Sequence, residues 1–213
     1  MTGQLTLYGA RGGGSAIIEA LFALAGIEYQ VRYFSWEDLP DSELLAINPQ
    51  GEIPALRLEN GEILTETAAI ALWIGDHFPE SGLVPPAGDP CRNRFLHRLI
   101  WLVAAVYPTF TFSDHPRRFI PGDDGAQALY ESTERRRQQL WRQFEAELDA
   151  PWACGEEMTA VDVFIAVMSC WRPRRAWFAQ ECPKLFAIAR QVDKLTPLHR
   201  VWRDNELAGE AGI

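Results

Sequence analysis

Near residue 80 the sequence changes its period, and few architectures accommodate both halves. Residues 4 to 78 alternate short strand-like and helix-like patterns, whereas the chain beyond 91 is helical almost throughout. Between them, the stretch Pro79 to Pro90 holds four prolines and no periodicity, which is linker chemistry. The chain therefore divides into a mixed unit over 1–80, a linker over 81–90 and an all-helical unit over 91–213.

Within the first unit, Leu5 and Leu7 with Thr6 and Tyr8 form a short strand that Gly12, Gly13 and Gly14 punctuate. Ser15 is a natural cap for the next helix, whose apolar face is Ile17, Ile18, Leu21, Leu24 and Ala25, and Gly26 ends it. Tyr29, Val31 and Tyr33 alternate as a second strand, and Asp41 to Ile47 predicts a brief helix. Ile53 to Leu58 and Glu62 to Leu64 then flank Glu59-Asn60-Gly61, a hairpin signal. Thr65 or Glu66 opens a helix to about Phe78, so the order is βαβαββα. In the second unit, helices are expected over roughly 91–113, 125–148, 159–171, 184–194 and 198–206.

At 213 residues and 47% hydrophobic content the chain has enough apolar surface for two modest cores. Its formal charge of -9 disfavours nucleic acid and anionic membrane surfaces, which need a basic footprint. The start MTGQLTLYGARGGG lacks the pattern of a secretory leader, and no segment is expected to span a bilayer, which predicts a cytoplasmic protein. Cys91, Cys154, Cys170 and Cys182 lack metal-ligand or Cys-x-x-Cys spacing, so idle thiols and no metal are expected. Arginines at 117–118, 135–137 and 174–175 read as solvated helix faces.

Four segments, LYGARGGGSAIIEALFALAGIEY, NPQGEIPAL, LTETAAIALWI and MTAVDVFIAVM, resemble the soluble glutathione transferase family in order and spacing over nearly the whole chain. The resemblance implies a thioredoxin-like N-terminal domain followed by an all-α domain, with glutathione as co-substrate, a small hydrophobic electrophile as second substrate, and a homodimer. It further implies that Pro54 is cis, turning the backbone of Ile53 outward to pair with an extended peptide. Glu66 and Thr67 fall at a helix start, where free N–H groups attract a carboxylate; by resemblance they hold the γ-glutamyl end of glutathione. A plain N-cap fits the same two residues. Glu52 stands where many relatives carry a basic or amide side chain and would repel the glycine carboxylate of glutathione, so Gln50 or Arg11 is the expected substitute.

Such enzymes lower the pKa of a thiol from about 8.5 with donors at a helix N-terminus. Counted back from Ala25-Gly26-Ile27-Glu28-Tyr29, Tyr8 falls where tyrosine-type members keep their hydroxyl, and Gly12 to Gly14 fall where serine- or cysteine-type members keep theirs. Ser15 is one residue later. The candidates are thus Ser15, Tyr8 or the loop's backbone N–H groups. The glycine run lacks the Gly-Lys-Ser/Thr ending of a nucleotide phosphate loop. Thr159 and Asp162 have capping-box spacing and a structural role. Trp101, Tyr107 and Phe110, with Phe112 and His115, are candidate electrophile contacts, with a kink expected at Pro108. Two other readings share the fold: a non-catalytic binding or regulatory protein, and a glutathione-dependent disulfide or peroxide reductase.

Overall fold

A computed structural model describes residues 4–121, 125–149 and 151–212. The mixed unit contains β1 (Thr6–Gly9), α1 (Ser15–Ala25), β2 (Gln30–Tyr33), α2 (Ser42–Ile47), β3 (Ala55–Arg57), β4 (Ile63–Thr65) and α3 (Thr67–His77). The strands form one sheet in the order β2-β1-β3-β4, with β1 parallel to β2 and the other pairs antiparallel. This is a thioredoxin-like sheet. The Asn60-Gly61 turn joins β3 to β4, with Asn60 Oδ1 accepting from the Glu62 N–H at 2.9 Å.

Strand alternation sends neighbouring residues of β1 to opposite faces. Leu7 joins the main core with Ile17, Leu21, Leu56, Ile70 and Ile74, under α1 and α3. Tyr8 turns to the other face and packs in a smaller cluster with Phe34, Leu44 and Ala55. The main core continues without a break into the helical unit through Phe95, Leu99, Leu102, Phe164 and Trp202. The proline-rich segment is fastened rather than loose. Val84 packs so tightly on α3 that a Cβ at Gly75 would lie 2.3 Å from its Cβ, and the Leu83 carbonyl accepts from the Ala160 N–H.

Nearly continuous helix follows: α4 (Arg92–Trp101), a π-helical stretch Leu102–Val106, and α5 (Tyr107–Asp114). The proline break expected at Pro108 is absorbed by that π stretch, because a proline lacks the N–H of a regular turn. By length and composition alone, the 23 residues Arg92–Asp114 could cross a bilayer, a run that the sequence reading did not single out. Phe95, Leu99, Leu102 and Val106 of this run are buried in the core. Next come α6 (Ala126–Ala146), α7 (Ala160–Met168), α8 (Arg175–Glu181), α9 (Pro183–Asp193), α10 (Leu198–Asp204) and α11 (Ala208–Ala211). Helices α8 and α11 are too short and too weakly capped to register as periodic segments in the sequence.

The capping box at α7 is present, and Asp162 does more than cap. Its buried carboxylate accepts from the N–H of Ala153 at 2.7 Å, the N–H of Thr159 at 2.7 Å and the Thr159 hydroxyl at 3.1 Å. Two arginines expected on solvated faces are interior. Arg137 bonds the Thr109 hydroxyl and carbonyl, and Arg175 pairs with Asp193 at 2.9 Å. Interior cations need such partners to offset lost hydration.

Candidate active site

A cleft of about 550 Å³ opens where the two units meet. One wall is the glycine loop and the segment before β3; the other is α5 and the turn preceding α8.

The glycine loop is held mainly by the helical unit. The Gly12 N–H donates to Asn205 Oδ1 at 3.1 Å, and its carbonyl accepts from the indole of Trp171 at 2.6 Å. Gly12 lies at φ +70, in the left-handed region that favours glycine. Trp36 donates to the Arg11 carbonyl, and its ring leaves no room for a Cβ at Gly13. The N–H groups of Gly14 and Ser15, at the start of α1, have no partner among the described residues. They are the free donors that a helix N-terminus always leaves.

Asn205 also donates to Glu19, a buried carboxyl that takes two further bonds from the hydroxyls of Tyr29 and Tyr33. Burial pushes this carboxyl above its ordinary range, only partly countered by those three donors. The same burial, together with Glu19, raises both phenols.

Beside the glycine loop runs the segment entering β3. The Ile53–Pro54 peptide is cis, and neither the N–H nor the carbonyl of Ile53 has a backbone partner among the described residues. Glu52 pairs with Arg118 at 3.0 Å across the cleft, so its charge is met by a cation from the helical unit. At the head of α3, Glu66 is exposed and held at φ 66, ψ 113, a conformation rare outside glycine. Such residues cost about 1–3 kcal/mol and concentrate at functional sites. Thr67, next in chain, is buried, its Oγ1 near the start of α1.

The aromatic wall is Tyr107, Phe110 and Trp171. Trp171 makes edge contacts to both neighbours, with centroids 5.4 Å and 5.3 Å away. The Arg137 guanidinium lies 3.6 Å from the Phe110 ring centroid, fixing that ring from behind. Around the mouth are His115, Arg118, Arg172 and Arg174. Arg172 pairs with Asp114 and Glu134, and Arg174 with Glu210.

The residues singled out in the sequence separate into two sets. Ile53, Tyr107, Phe110 and His115 line the cleft, Pro54 and Thr67 lie beside Gly14 at its edge, and Glu66 stands at the head of α3 next to Thr67. The others lie apart. Ser15 is fully buried, and its hydroxyl donates to the Ala10 carbonyl at 3.1 Å instead of capping α1, because Gly14 is already in helical conformation. Tyr8 is on the opposite sheet face, with Arg57 over its ring. Arg11 donates to the Asp204 carbonyl and covers the Tyr33 ring. Gln50 is exposed and outside the cleft lining. Trp101 packs on Phe144. Phe112 is exposed against Phe119. Trp171, Asn205, Trp36 and Arg118 were not singled out as site residues, since each acts through a partner far away in sequence.

Cys154 and Cys182 are buried, their thiols pushed up to about 11 and about 12 by desolvation. Neither supplies a thiolate near pH 7. Among the described residues no group of His, Cys, Asp and Glu is arranged to hold a metal ion.

A thioredoxin-like sheet joined to a helical bundle, with a cleft at the seam, defines the class: the chain belongs to the glutathione S-transferase family. The family's N-terminal domain model matches residues 15–77. Among curated relatives, an uncharacterized GST-like protein of Escherichia coli K12, YncG, is 41% identical over 208 residues, 96% of this chain and 100% of its own length. Glutathione S-transferase GstA of Escherichia coli O157:H7 is 28% identical over 61% of each chain. Among solved structures, a Sulfitobacter glutathione transferase homologue with bound glutathione superposes with a TM-score of 0.84 at 23% identity, covering 97% of this chain and all of its own. A sphingomonad glutathione S-transferase complexed with glutathione gives 0.76 at 26% identity, over 95% of this chain and 100% of its own.

Proposed function

We propose that this protein is a glutathione transferase that binds glutathione along the Ile53 segment and the heads of α1 and α3, and presents its thiolate to an electrophile in the aromatic cleft. The observation that carries the reading is convergence: the free backbone of Ile53 and the head of α1 at Gly14, where the N–H groups of Gly14 and Ser15 are unpartnered, face one cleft with an aromatic far wall, and Thr67 beside Gly14 brings the Glu66-Thr67 head of α3 to the same corner. Peptide pairing with Ile53 orients the tripeptide, the head of α3 takes its γ-glutamyl carboxylate, and Glu66 meets the ammonium. Arg118, already beside Glu52, lies within the cleft to receive the glycine carboxylate.

With the thiolate fixed against α1, a carbon electrophile on Tyr107, Phe110 and Trp171 is attacked by sulfur. A C–S bond forms, the leaving group departs with its electron pair, and the thiol proton has already gone to water. The two backbone donors support the thiolate in this reading, since Ser15 is committed to Ala10 and Tyr8 faces away. A small aromatic electrophile suits the wall. A cytoplasmic homodimer is part of the same proposal.

Calorimetric titration with glutathione is the test. Saturable binding to the wild type, weakened at least tenfold by Glu66→Ala, is expected from the loss of a charge-assisted contact. Absence of binding at millimolar glutathione refutes the reading.

A further inference from the structure

By the family resemblance the hydroxyl or thiol of a serine- or cysteine-type site falls within Gly12 to Gly14, and the last of these glycines opens α1 beside the cleft. The reason for glycine there is visible across the cleft. A Cβ built on Gly14 would lie 2.9 Å from the hydroxyl oxygen of Tyr107, 3.3 Å from Cδ of Pro54 and 3.5 Å from Oγ1 of Thr67. The volume a side chain would fill at the head of α1 is already faced by a hydroxyl from α5, reaching over from the helical unit.

That hydroxyl is buried and has no hydrogen-bond partner among the described residues. Burial raises the phenol, and Thr67 opposes that rise without reaching hydrogen-bond geometry. A buried, unpartnered O–H is costly, by about 1–3 kcal/mol, and such groups call for an explanation. The ring is held firmly, by the edge contact with Trp171, whose indole is itself bonded to Gly12. The orphan hydroxyl is thus fixed on the same frame as the glycine loop. Because burial keeps the phenol protonated at neutral pH, it is a donor and not a base.

Building on the proposed glutathione site, we infer that Tyr107 is the side-chain donor to the glutathione thiolate, supplied by the helical unit in place of a residue of the first unit. Its O–H points at the sulfur bound beside Gly14 and lowers the thiol's pKa by stabilising the anion. The thiol proton leaves to water, the phenol keeps its own, and sulfur then attacks the electrophile. The Gly14 and Tyr107 pair is one device: a side chain at 14 would collide with the donor.

The experiment follows the ultraviolet absorbance of bound thiolate against pH in wild type, Tyr107→Phe, Gly14→Ser and the double variant, with glutathione affinity measured by calorimetry in each. Turnover of chlorodinitrobenzene serves as a parallel readout. Tyr107→Phe should raise the pKa of bound glutathione by about one to two units and lower kcat/KM roughly ten- to a hundredfold at neutral pH, with glutathione affinity changed less than about threefold. The Glu52–Arg118 and Asp114–Arg172 pairs, His115 and Arg174 also face the cleft, but they are common to the variants and cancel in the comparison.

Gly14→Ser alone should impair the site by collision. In the double variant the phenolic oxygen is gone, Gly14 has ordinary helical angles of φ -60 and ψ -24, and the new serine should recover part of the lost acidity. Intact binding with an unshifted thiol pKa in Tyr107→Phe overturns the role of Tyr107 and leaves the proposed function standing. A loss confined to KM or thermal stability overturns it equally. Failure of the wild type to bind glutathione overturns both.

Discussion

Replacing Asp162 with alanine removes the carboxylate that accepts from three donors, two backbone N–H groups and the Thr159 hydroxyl, all in a buried environment. Each orphaned buried donor costs about 1–3 kcal/mol. Against that stands a gain, because the carboxyl is itself held at about 6 instead of 3.8, chiefly by desolvation and despite its hydrogen bonds. At about 1.36 kcal/mol per unit, that rise means roughly 3 kcal/mol of buried-charge cost at pH 7 or above, which alanine does not bear. At mid-range, about 2 kcal/mol for each of the three donors, the difference leaves a net loss of about 3 kcal/mol at pH 7, well above the ~1 kcal/mol of an ordinary exposed cap.

The sign with pH follows from the raised value. This group's contribution is fully present below about pH 4 and declines as pH rises through 6, because the unfolded chain ionises first. Wild type should therefore be about 1–2 kcal/mol more stable at pH 5 than at pH 8 through this residue, and the difference should vanish in Asp162→Ala. Urea titrations at both pH values, followed by tryptophan fluorescence and far-UV circular dichroism, give the numbers. The melting temperature should drop by roughly 5–15 °C. A stability change under about 0.5 kcal/mol, or one that is the same at both pH values, refutes the argument. So does a selective loss of turnover with unchanged melting.

Two further outcomes follow from packing. Gly75→Ala must move Val84 off α3, since the new Cβ would sit 2.3 Å from the Val84 Cβ; an overpacking loss of about 1–3 kcal/mol is expected in urea unfolding, with glutathione affinity unaffected. Asn205→Ala leaves the Gly12 N–H and the Glu19 carboxyl each one partner short, so amide exchange at Gly12 to Ser15 should accelerate while global stability falls by about 1–3 kcal/mol. Unchanged exchange in the loop would show that Asn205 does not hold it.

Most of the frame was legible because local pattern sets it. Alternation marked β1 and β2, Asn60-Gly61 marked the hairpin, Gly26 closed α1 in left-handed conformation, and Thr159 with Asp162 marked α7. The errors arise where tertiary contacts decide. Ser15 has the composition of a cap, but the chain is helical one residue earlier and its hydroxyl is drawn to Ala10. Arg137 and Arg175 belong to local arginine clusters, yet their partners Thr109 and Asp193 are 28 and 18 residues away. Tyr107 was legible as an aromatic of the cleft; that its hydroxyl meets Gly14 was not, because nothing in the spacing of residues 14 and 107 brings them together.

The double hold on Gly12 has a consequence in time. Asn205 follows Gly12 by 193 residues, and Trp171 follows it by 159. At about 5–20 residues per second of synthesis, the strand and helix flanking the glycine loop exist for roughly 10–40 s before the residue that completes its grip has been made. Throughout that interval the nascent first half carries an unfinished loop, and the Gly12 corner of the cleft is completed only after translation has passed residue 205. The finished shape of the loop is then a property of the nearly complete polypeptide, acquired late and all at once.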